Sequence, residues 1–551
     1  MPVTHNATLV LMTLIGIALS GCSKAPQATA PESADQNAAG TSLELSPPEL
    51  RIIATGANIS GANGLHFGPD GLLYVASVIG SELLALNPET GAVARRWTAE
   101  DLVFGPDDIA FNADGDYYWT SILTGEVAGF KASGERVVAA NLGPGVNPIT
   151  FSDHGRLFVA QCFFDTGLYE VDPDGIEPPR SIRDDLGPGC GLNGMDWGPD
   201  GRLYGPRWFQ GSVVSIDVDS GQMREEAKGL QVPAAVKFDS QGQLYVLDTA
   251  AGAVLKISDG ELESVASLVP GLDNFAFDDN DTLYVSSFAD GFVARIDNGK
   301  LTELSPGGMS HPGGLTMHQG QVVVADFHSI RGFQPNTGAE TFVQRSILGV
   351  SPQGSVVALA DDGDHLILTS WMDNSVRIWD PVNERIIARY EELPLPIQAI
   401  RYNEHIAVTL HGDGSVALID SDGVVSTLAD GFGAPTGLVI QGDRLLVTDR
   451  SAGSVSAISP QGQVSVVATG LDAPEGIAVI AEQIFVLEGE NGLIKEVSGA
   501  DSRVIAKLAG GGTPPASPTQ PPSMILNGLT ADGSTLYATD ERQRTLAAVD
   551  L

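Results

Sequence analysis

The chain has 551 residues, which suits two domains near the upper size that one hydrophobic core supports. Its 69 acidic and 30 basic residues give a formal net charge of -39 at pH 7. Such a surface repels phosphate backbones and anionic headgroups, which argues against nucleic-acid binding and against adsorption to an anionic membrane. It would attract cations, although a solvated acidic surface that keeps a sheet-rich protein soluble is the simpler interpretation.

The first residues of the chain have the pattern of an export signal. The apolar stretch LVLMTLIGIALSGC, which starts at Leu9, is too short to span a membrane and ends in small residues. The segment from Leu19 to Cys22 resembles the bacterial lipobox, in which the cysteine is diacylated and becomes the first residue of the mature protein. Ser23 follows it instead of Asp, which by resemblance favours the outer membrane of a two-membrane cell.

We therefore expect a lipoprotein signal peptide over residues 1–22, lipidation at Cys22, and a flexible tether rich in Ala, Pro, Ser and Gln over residues 23–49. The protein would be lipid-anchored in the cell envelope, at the outer membrane and facing the periplasm, with the lipid as its only membrane contact. The segment before the apolar stretch lacks Lys and Arg, so an upstream start or an atypical export route stays open, as does an unmodified Cys22.

After this segment, one core phrase recurs about every forty residues, roughly a dozen times. Its clearest copies are NGLHFGPDGLLYVAS from Asn63, DDIAFNADGDYYWTS from Asp107, NPITFSDHGRLFVAQ from Asn147, NGMDWGPDGRLYGPR from Asn193, AAVKFDSQGQLYVLD from Ala234 and DNFAFDDNDTLYVSS from Asp273. Looser copies begin at Gly313, Gly437, Gly476 and Gly528, and two degenerate ones end at Ser370 and Leu410. A fixed period of this size indicates an array of similar small sheets.

Each repeat predicts four short antiparallel strands. In the first copy, GLHFG and LLYVAS alternate apolar and polar residues with the period of a half-buried strand, and the Asp-Gly between them favours a tight hairpin. Two further strands, within ELLALNP and AVARRWT, complete a unit of the kind that forms one β-propeller blade. No convincing amphipathic helix interrupts the pattern.

The predicted fold class is all-β, with two tandem six-bladed β-propellers of four-stranded antiparallel blades over residues 50–305 and 306–551. The first and last strands favour this division. RIIATG, from Arg51, would close the sixth blade and LTELSPG, from Leu301, the twelfth, so that no bare sheet edge remains. A division into seven and five blades is the alternative.

Aligned repeats place equivalent residues around each axis. We call the residue that starts the first strand of a repeat its inlet position and the residue that ends the second strand its outlet position; both open on the face where propellers usually hold a ligand. In the first propeller the inlet residues are Asn63, Asp107, Asn147, Asn193, Ala234 and Asp273, and the outlet residues are Ser77, Ser121, Gln161, Arg207, Asp248 and Ser287.

The inlet residues of the first propeller bring hard oxygen ligands to one axis, which suits Ca²⁺ or Mg²⁺. The candidate metal ligands are Asn63, Asp107, Asn147 and Asn193. The alternative is that each of these side chains accepts hydrogen bonds from loop amides, as Asn and Asp commonly do in turns.

In the second propeller the inlet residues are Gly313, Gln398, Thr436, Glu475 and Asn527, and the outlet residues are Asp326, Ser370, Leu410, Asp449, Glu488 and Asp540. Three histidines fall in loops on the same face, and imidazole beside carboxylates is what proton abstraction needs. The candidate pocket comprises His311, Asp326, His411, Asp449, Glu475, Glu488 and Asp540, with His328 nearby. The alternative is that the outlet carboxylates cap neighbouring loops. The Pro-rich insert GGGTPPASPTQPPS, from Gly510, would overhang this mouth as a lid or a spacer.

With Cys22 lipidated, Cys162 and Cys190 are the remaining cysteines. Both fall in loops of adjacent blades on the same face, so a disulfide is geometrically reasonable and the expected compartment permits it. Two free or buried thiols are the alternative.

The repeat resembles that of the gluconolactonase/senescence-marker/luciferin-regenerating superfamily and its NHL-repeat and virginiamycin B lyase relatives. NGMDWGPDGRLY is similar to the family's Asn-Gly-hydrophobic phrase, whose Asn binds the divalent metal, and this implies a ligand role for Asn193. GPDDIAF and GVNPITF resemble the other ligand-bearing phrases more loosely and imply Asp107 and Asn147. The chain has Asn63 where the lactonases place a Glu, and His311-Pro312-Gly313 where the lyases have Pro-His-Gly.

Two functions follow from these features. The first is a lipid-anchored protein that binds a small molecule, glycan or protein partner at a propeller face, with a divalent metal in the first propeller. The alternative is a metal-dependent lactonase or esterase, in which Asp248 or Asp273 is the general base and Arg207 steadies the developing oxyanion. A lyase in the second propeller that uses His311 or His411 is a third possibility.

Overall fold

The computed structural model describes residues 49–163, 165–297, 299–499, 501–510 and 526–551. These residues form twelve four-stranded antiparallel sheets, as expected for propeller blades. They contain no α-helix, only a 3-10 turn at Ala99–Asp101, and hence no helix long and apolar enough to cross a membrane. The expected signal peptide, Cys22, most of the tether and the Pro-rich insert after Gly510 lie outside the described residues.

The strands of the first six sheets follow β1 (Leu50–Thr55) in chain order. They are β2 (Leu65–Phe67), β3 (Leu73–Ser77), β4 (Glu82–Leu86), β5 (Val93–Trp97); β6 (Pro106–Phe111), β7 (Tyr117–Ser121), β8 (Glu126–Phe130), β9 (Arg136–Asn141); β10 (Val146–Phe151), β11 (Leu157–Gln161), β12 (Leu168–Val171), β13 (Arg180–Arg183); β14 (Asp196–Trp197), β15 (Leu203–Arg207), β16 (Ser212–Ile216), β17 (Met223–Lys228); β18 (Pro233–Phe238), β19 (Leu244–Asp248), β20 (Ala253–Ser258), β21 (Glu261–Ser267); and β22 (Leu272–Phe277), β23 (Leu283–Ser287), β24 (Val293–Asp297), β25 (Lys300–Ser305).

The remaining strands form the last six sheets. They are β26 (Leu315–His318), β27 (Gln321–Ala325), β28 (Ser329–Phe333), β29 (Glu340–Arg345); β30 (Ala358–Asp362), β31 (His365–Ser370), β32 (Ser375–Asp380), β33 (Arg385–Tyr390); β34 (Pro396–Tyr402), β35 (His405–Leu410), β36 (Ser415–Ile419), β37 (Val425–Ala429); β38 (Pro435–Gln441), β39 (Arg444–Asp449), β40 (Ser454–Ile458), β41 (Val464–Thr469); β42 (Pro474–Ile480), β43 (Gln483–Glu488), β44 (Leu493–Ser498), β45 (Asp501–Lys507); and β46 (Leu529–Asp532), β47 (Thr535–Asp540), β48 (Thr545–Asp550).

The last sheet is completed by the first strand of the chain. β1 pairs antiparallel with β48, with Leu50 opposite Val549 and Thr55 opposite Thr545. β25 pairs instead with β24 in the sixth sheet, where Asp297 faces Lys300. The sequence-based assignment of RIIATG to the sixth blade and of LTELSPG to the twelfth was therefore wrong. Because β25 pairs with the strand just before it in the chain, the sixth sheet is already complete. The twelfth sheet is then the one that lacks a fourth strand, and β1 supplies it.

The first strands of the sheets contact one another in two closed series. The first series runs through β2, β6, β10, β14, β18 and β22 and returns to β2; we call its sheets the first set. The second runs through β26, β30, β34, β38, β42 and β46 and returns to β26; these sheets, with β1, are the second set. We call the spaces that the first strands enclose the first and second channels.

The core lies between neighbouring sheets. β3 and β4 are buried along their whole length, whereas β5 is largely exposed. Leu83 and Tyr74 pack against Ile109 and Trp119 of the next sheet, and Leu84 packs on the other side near Tyr284 of the sixth. Burial of each large apolar side chain stabilises the fold by roughly 1.5–3 kcal/mol. The second and third strands are therefore apolar on both faces, and the fourth strand meets water.

Candidate functional site

Hydroxyl groups on the second strands fix the inlet positions of the neighbouring sheets. Thr120 donates to the carbonyl of Asn147, Thr409 to that of Thr436 (2.9 Å) and Thr448 to that of Glu475 (3.0 Å). The same contact joins the ends of each set, because Ser286 donates to the Asn63 carbonyl (2.6 Å) and Thr539 to the Gly313 carbonyl (2.6 Å). Each of these five inlet residues is thus held by the sheet before it.

This pattern also corrects the alignment of the degenerate repeats. The Gln398 amide donates to Thr409 as the Gly437 amide does to Thr448, which makes Gln398 the residue after the inlet position and Ile397 the inlet residue. In the eighth sheet the carbonyl of Val357 accepts from Gly314 as that of Asp107 accepts from Gly64, so Val357 is the inlet residue there. Two aliphatic inlet residues distinguish the second set.

In the first channel, the side chains of Asp107 and Asn147 have no hydrogen-bond donor among the described residues. Both are buried, and the Asn147 Oδ1 is a fully enclosed oxygen without a partner. Burial, then the charge of Asp273 and that of Asp108, raise the pKa of Asp107 well above its usual range. Burial and the charge of Asp108 raise the pKa of Asp273 to about 7, against a hydrogen bond from Asn63. Two carboxyl groups that disfavour each other's ionisation therefore face one space.

The other two candidate metal ligands are partly engaged. Asn63 Oδ1 accepts a hydrogen bond from the Val78 amide (3.2 Å), and Asn193 Oδ1 accepts one from the Gly194 amide (2.9 Å). This is the turn role that the sequence left open. An amide oxygen has two lone pairs, so each could still offer one to a ligand.

The donor set fits a hard cation through carboxylate and amide oxygens together. Within the described ranges, no three His, Cys, Asp or Glu side chains are grouped so as to hold a metal ion. A Ca²⁺ or Mg²⁺ ion would therefore need Asp107 and the free Asn147 oxygen, with Asn63 and Asn193 in support. Bound there, an ion would neutralise the buried carboxylates.

A hydrogen bond across the first channel positions these groups. Asp108 accepts from the Asn274 side chain (3.2 Å) and from the amides of Ile109 (3.0 Å) and Ile149 (3.4 Å). The bond to Asn274 links the second sheet to the sixth past Gly64, where a Cβ atom would lie 2.7 Å from Asp108 Oδ1. Glycine at this position thus lets the three first strands approach each other.

Deeper in the first channel, three of the six residues that lie three positions past the inlet are ionisable, namely His66, Asp196 and Lys237. Asp196 accepts from the amides of Trp197 and Phe238 (both 2.9 Å). Lys237 is buried without an ion pair among the described residues. Burial raises the pKa of both Asp196 and Asp108, and the charge of Lys237 opposes that shift. Burial and Lys237 lower the pKa of His66 to about 4, so this imidazole is neutral.

Sequence reasoning did not select Asp108, Asn274, Asp196 or Lys237. A signal was present, because other repeats carry Gly, Pro or Ala where Asp108 and Asn274 stand. Asp196 and Lys237 are charged residues in inner strands that are otherwise apolar. Their partners lie in other repeats, so one repeat alone gives no reason to choose them.

The outlet residues bind the loops that lead into their own sheets. Asp248 accepts from the amides of Gln231 (2.6 Å) and Val232 (3.0 Å), and Arg207 donates to the Leu186 carbonyl (2.9 Å). Of the three candidate catalytic residues, only Asp273 thus lies beside the candidate metal ligands. Asp326, Asp449, Glu488 and Asp540 accept loop amides in the same way, which is the capping role that the sequence left open.

The candidate histidines do not line the second channel. His311 is buried against Gly61 of the first set, and its ring lies 5.9 Å from that of His328. Burial, then the neighbouring His328, lower the pKa of His311 well below its usual range, and burial lowers that of His328 to about 4. His411 is half-buried, and burial lowers its pKa as well. These imidazoles are neutral packing groups at neutral pH.

Glu475 is the candidate of the second set that does face the channel. Its carboxylate accepts from the backbone and side chain of Asn527 (both 2.9 Å) and from Arg450 (3.2 Å). A Cβ atom at Gly489 would lie 2.1 Å from Glu475 Oε1, so glycine there makes room for the carboxylate. Burial raises the pKa of Glu475, and Arg450 opposes that shift.

Cys162 and Cys190 are joined by a disulfide across 28 residues, and their backbones form an isolated antiparallel bridge. The bond ties the end of β11 to the loop before β14. It therefore braces the face on which the inlet residues Asn147 and Asn193 lie.

No protein-family model matches the chain, and no curated protein matches it either. Among solved structures it is similar to a streptogramin B lyase at 16% identity and a TM-score of 0.38, over 50% of this chain and 93% of that one. Two structures of a B. thetaiotaomicron extracellular domain, described as part of a one component system and of a hybrid two component system, match 91% of this chain and 82% of their own at 12% identity, with TM-scores of 0.31 and 0.32. At these scores the fold rests on the strand pairing itself.

Proposed function

We propose that the protein is a ligand-binding protein of the cell envelope, built as two six-bladed β-propellers, the first over residues 56–305 and the second over residues 306–551 with its last blade completed by β1. Its first channel takes a divalent cation, Ca²⁺ or Mg²⁺, at the inlet positions, and a small molecule, glycan or protein partner binds on that face. The lipid on Cys22 would hold it at the outer membrane, facing the periplasm. The contacts that return from β22 to β2 and from β46 to β26 support the two rings of six.

One observation carries the cation site. Asp107 and Asn147 occupy the same position of neighbouring first strands, both are buried, and neither side-chain oxygen has a donor among the described residues. An unsatisfied buried polar group costs about 1–3 kcal/mol, and more when it is charged. A bound cation removes that cost and also offsets the repulsion between Asp107 and Asp273.

The test is calorimetric titration of the full chain with Ca²⁺ and Mg²⁺ after exhaustive treatment with a chelator. We expect about one ion per chain, and at least about tenfold weaker binding in Asp107→Asn and in Asn147→Ala, since one ligand contact to a charge is worth about 1.5–3 kcal/mol. Asp430→Asn, at an exposed loop aspartate, is the matched control and should bind as the wild type does. Absence of saturable binding, or equal binding by all variants, would remove the cation from the proposal.

A metal-dependent lactonase or esterase is the second candidate, and one observation favours it. The raised pKa of Asp273, about 7, suits a general base at neutral pH. Asp273 would accept the proton of an attacking water, whereas Asp248 and Arg207 are engaged with loop backbone. The bound ion would polarise the substrate carbonyl.

A panel of lactones and aryl esters tests this candidate. The expected result is metal-dependent hydrolysis whose rate rises with pH as Asp273 ionises, and which Asp273→Asn abolishes while Asp430→Asn retains it. If the wild-type protein binds the cation but hydrolyses none of the panel, the lactonase or esterase function is rejected and the binding function remains.

A further inference from the structure

The second channel contains a cavity of about 330 Å³ enclosed by all six first strands of its set. Pre-formed pockets for small molecules begin at about this size. Glycines and aliphatic residues, Ile400 and Val439 among them, share the wall with polar residues. The cavity therefore offers apolar and polar surface in about equal measure, in a space that is already shaped.

Charged groups at this cavity are already paired within the protein. Glu475 is bound by Arg450 and Asn527 at one end. At the other end Arg401 is bound by both oxygens of Asp362 (2.8 and 2.7 Å), and Asp361 by His318 (2.7 Å). An anionic ligand would have to leave water without an unpaired cation on the described part of this wall, which is costly.

Uncharged polar groups also reach the cavity. Strand alternation packs Leu315 and Met317 into the core and turns Thr316 toward the channel, and Thr530 lies in the same way beside Leu529. The side-chain amide of Gln398 makes only a long hydrogen bond (3.4 Å) to the Leu359 carbonyl. Two hydroxyls and one amide can therefore orient a ligand.

We propose that the second channel is a separate binding site for an uncharged small molecule that combines apolar surface with one or a few hydrogen-bonding groups. The two channels would then bind ligands of different chemistry. The first presents Asp107, Asp273 and Lys237, and the second presents aliphatic side chains, hydroxyls and an amide. This site does not depend on the cation site of the first channel.

The test uses the full chain and N-phenyl-1-naphthylamine, a neutral fluorescent probe with one N–H group. We expect saturable binding of about one probe per chain, and at least about tenfold weaker binding in Thr316→Phe and in Thr530→Phe, because the added ring occupies part of the cavity. Thr427→Phe is the matched control, since Thr427 is exposed on β37. Asp107→Asn should also bind the probe as the wild type does. Circular dichroism establishes that each variant is folded.

A second comparison keeps the proposal testable if a filled variant fails to fold. The related probe 1-anilinonaphthalene-8-sulfonate adds a negative charge, and we expect it to bind at least about tenfold more weakly. Equal binding of both probes would contradict the uncharged ligand. Unchanged binding in both filled variants would place the probe elsewhere, for example in the cavity of about 430 Å³ beside Asp290 and Arg331, and would overturn the proposal.

Discussion

Asp449 accepts hydrogen bonds from the amides of Gly433 (2.7 Å), Ala434 (3.0 Å) and Ala452 (3.1 Å). At the level of single residues, five outlet carboxylates of the described chain accept loop amides in this way. Where the repeat has a serine at this position, as at Ser77 and Ser287, the hydroxyl instead donates a hydrogen bond to a loop carbonyl. Outlet residues thus set the shape of the channel mouth.

Asp449→Ala should lower the free energy of unfolding by about 1–3 kcal/mol, because it leaves loop amides without an acceptor. Asp430→Ala, in the exposed loop next to it, should change stability by less than about 0.5 kcal/mol. Urea unfolding of the two variants measures the difference. Equal effects would mean that water replaces the carboxylate without cost.

The carboxyl group of Asp273 should make stability depend on pH. Its pKa is about 7 in the folded protein and about 4 in an unfolded chain, so the folded state binds the extra proton between these values. Stability should therefore fall as the pH rises from about 4 to about 7.

Asp273→Asn removes this titration. In chelator, the variant should be more stable than the wild type by on the order of 2–4 kcal/mol at pH 8, and the difference should vanish toward pH 4. Urea unfolding across this range is the measurement. A difference that stays constant with pH would show that Asp273 titrates normally.

The sequence predicted residues that act within their own repeat better than residues that act across the channel. Asp107 and Asn147 could be found because they recur at one position of the repeat. Asp108 and Lys237 could not, because their partners Asn274 and Asp196 belong to sheets that only the closed fold brings near. Whether an outlet carboxylate caps a loop or is available for chemistry could be decided only from its hydrogen bonds in the structure.

At the scale of strands, the contact between β2 and β6 depends on Gly64. A Cβ atom there would lie 2.6 Å from both the Asp107 carbonyl oxygen and the Asp108 Cα atom, and backbone atoms cannot move aside cheaply. The pairing of β1 with β48 shows the limit of the sequence at this scale. The four-strand unit was predictable from the repeat, but which end of the chain completes which sheet was not.

Gly64→Ala should push β6 away and weaken cation binding at Asp107 by at least about tenfold. Gly320→Ala is the control, since that glycine has a positive φ of 77° but open space around it. It should cost about 1–2 kcal/mol of stability and leave cation binding unchanged. Calorimetric titration of both variants with the cation separates a local displacement of β6 from a general loss of stability. Equal cation affinities in the two variants would contradict the role assigned to Gly64.

At the scale of the whole molecule, a buried charge network joins the two sets of sheets. Arg331 of the second set binds Asp326 (2.7 Å), Glu340 (3.1 Å) and, across the junction, Asp290 of the first set. Arg345 also reaches Asp290 (2.8 Å). The network buries two carboxylates and a guanidinium, so each depends on the others.

Arg331→Met should lower the free energy of unfolding by about 3–5 kcal/mol, because it leaves Asp290 and Asp326 buried without their main countercharge. Arg385→Met removes a more exposed pair with Asp380 and should cost less than about 1 kcal/mol. Urea unfolding compares the two. A small loss in both would mean that the junction tolerates water.

A divalent cation held between Asp107 and Asn147 in the first channel is the feature on which the proposed function depends. Its most direct test is an anomalous difference map from crystals of the protein grown with Mn²⁺, which shares the oxygen-ligand preference of Mg²⁺ and Ca²⁺. We expect one strong peak on the axis of the first channel, within coordination distance of the Asp107 carboxylate and Asn147 Oδ1. A channel without a peak, in crystals where Mn²⁺ is in excess, would contradict it.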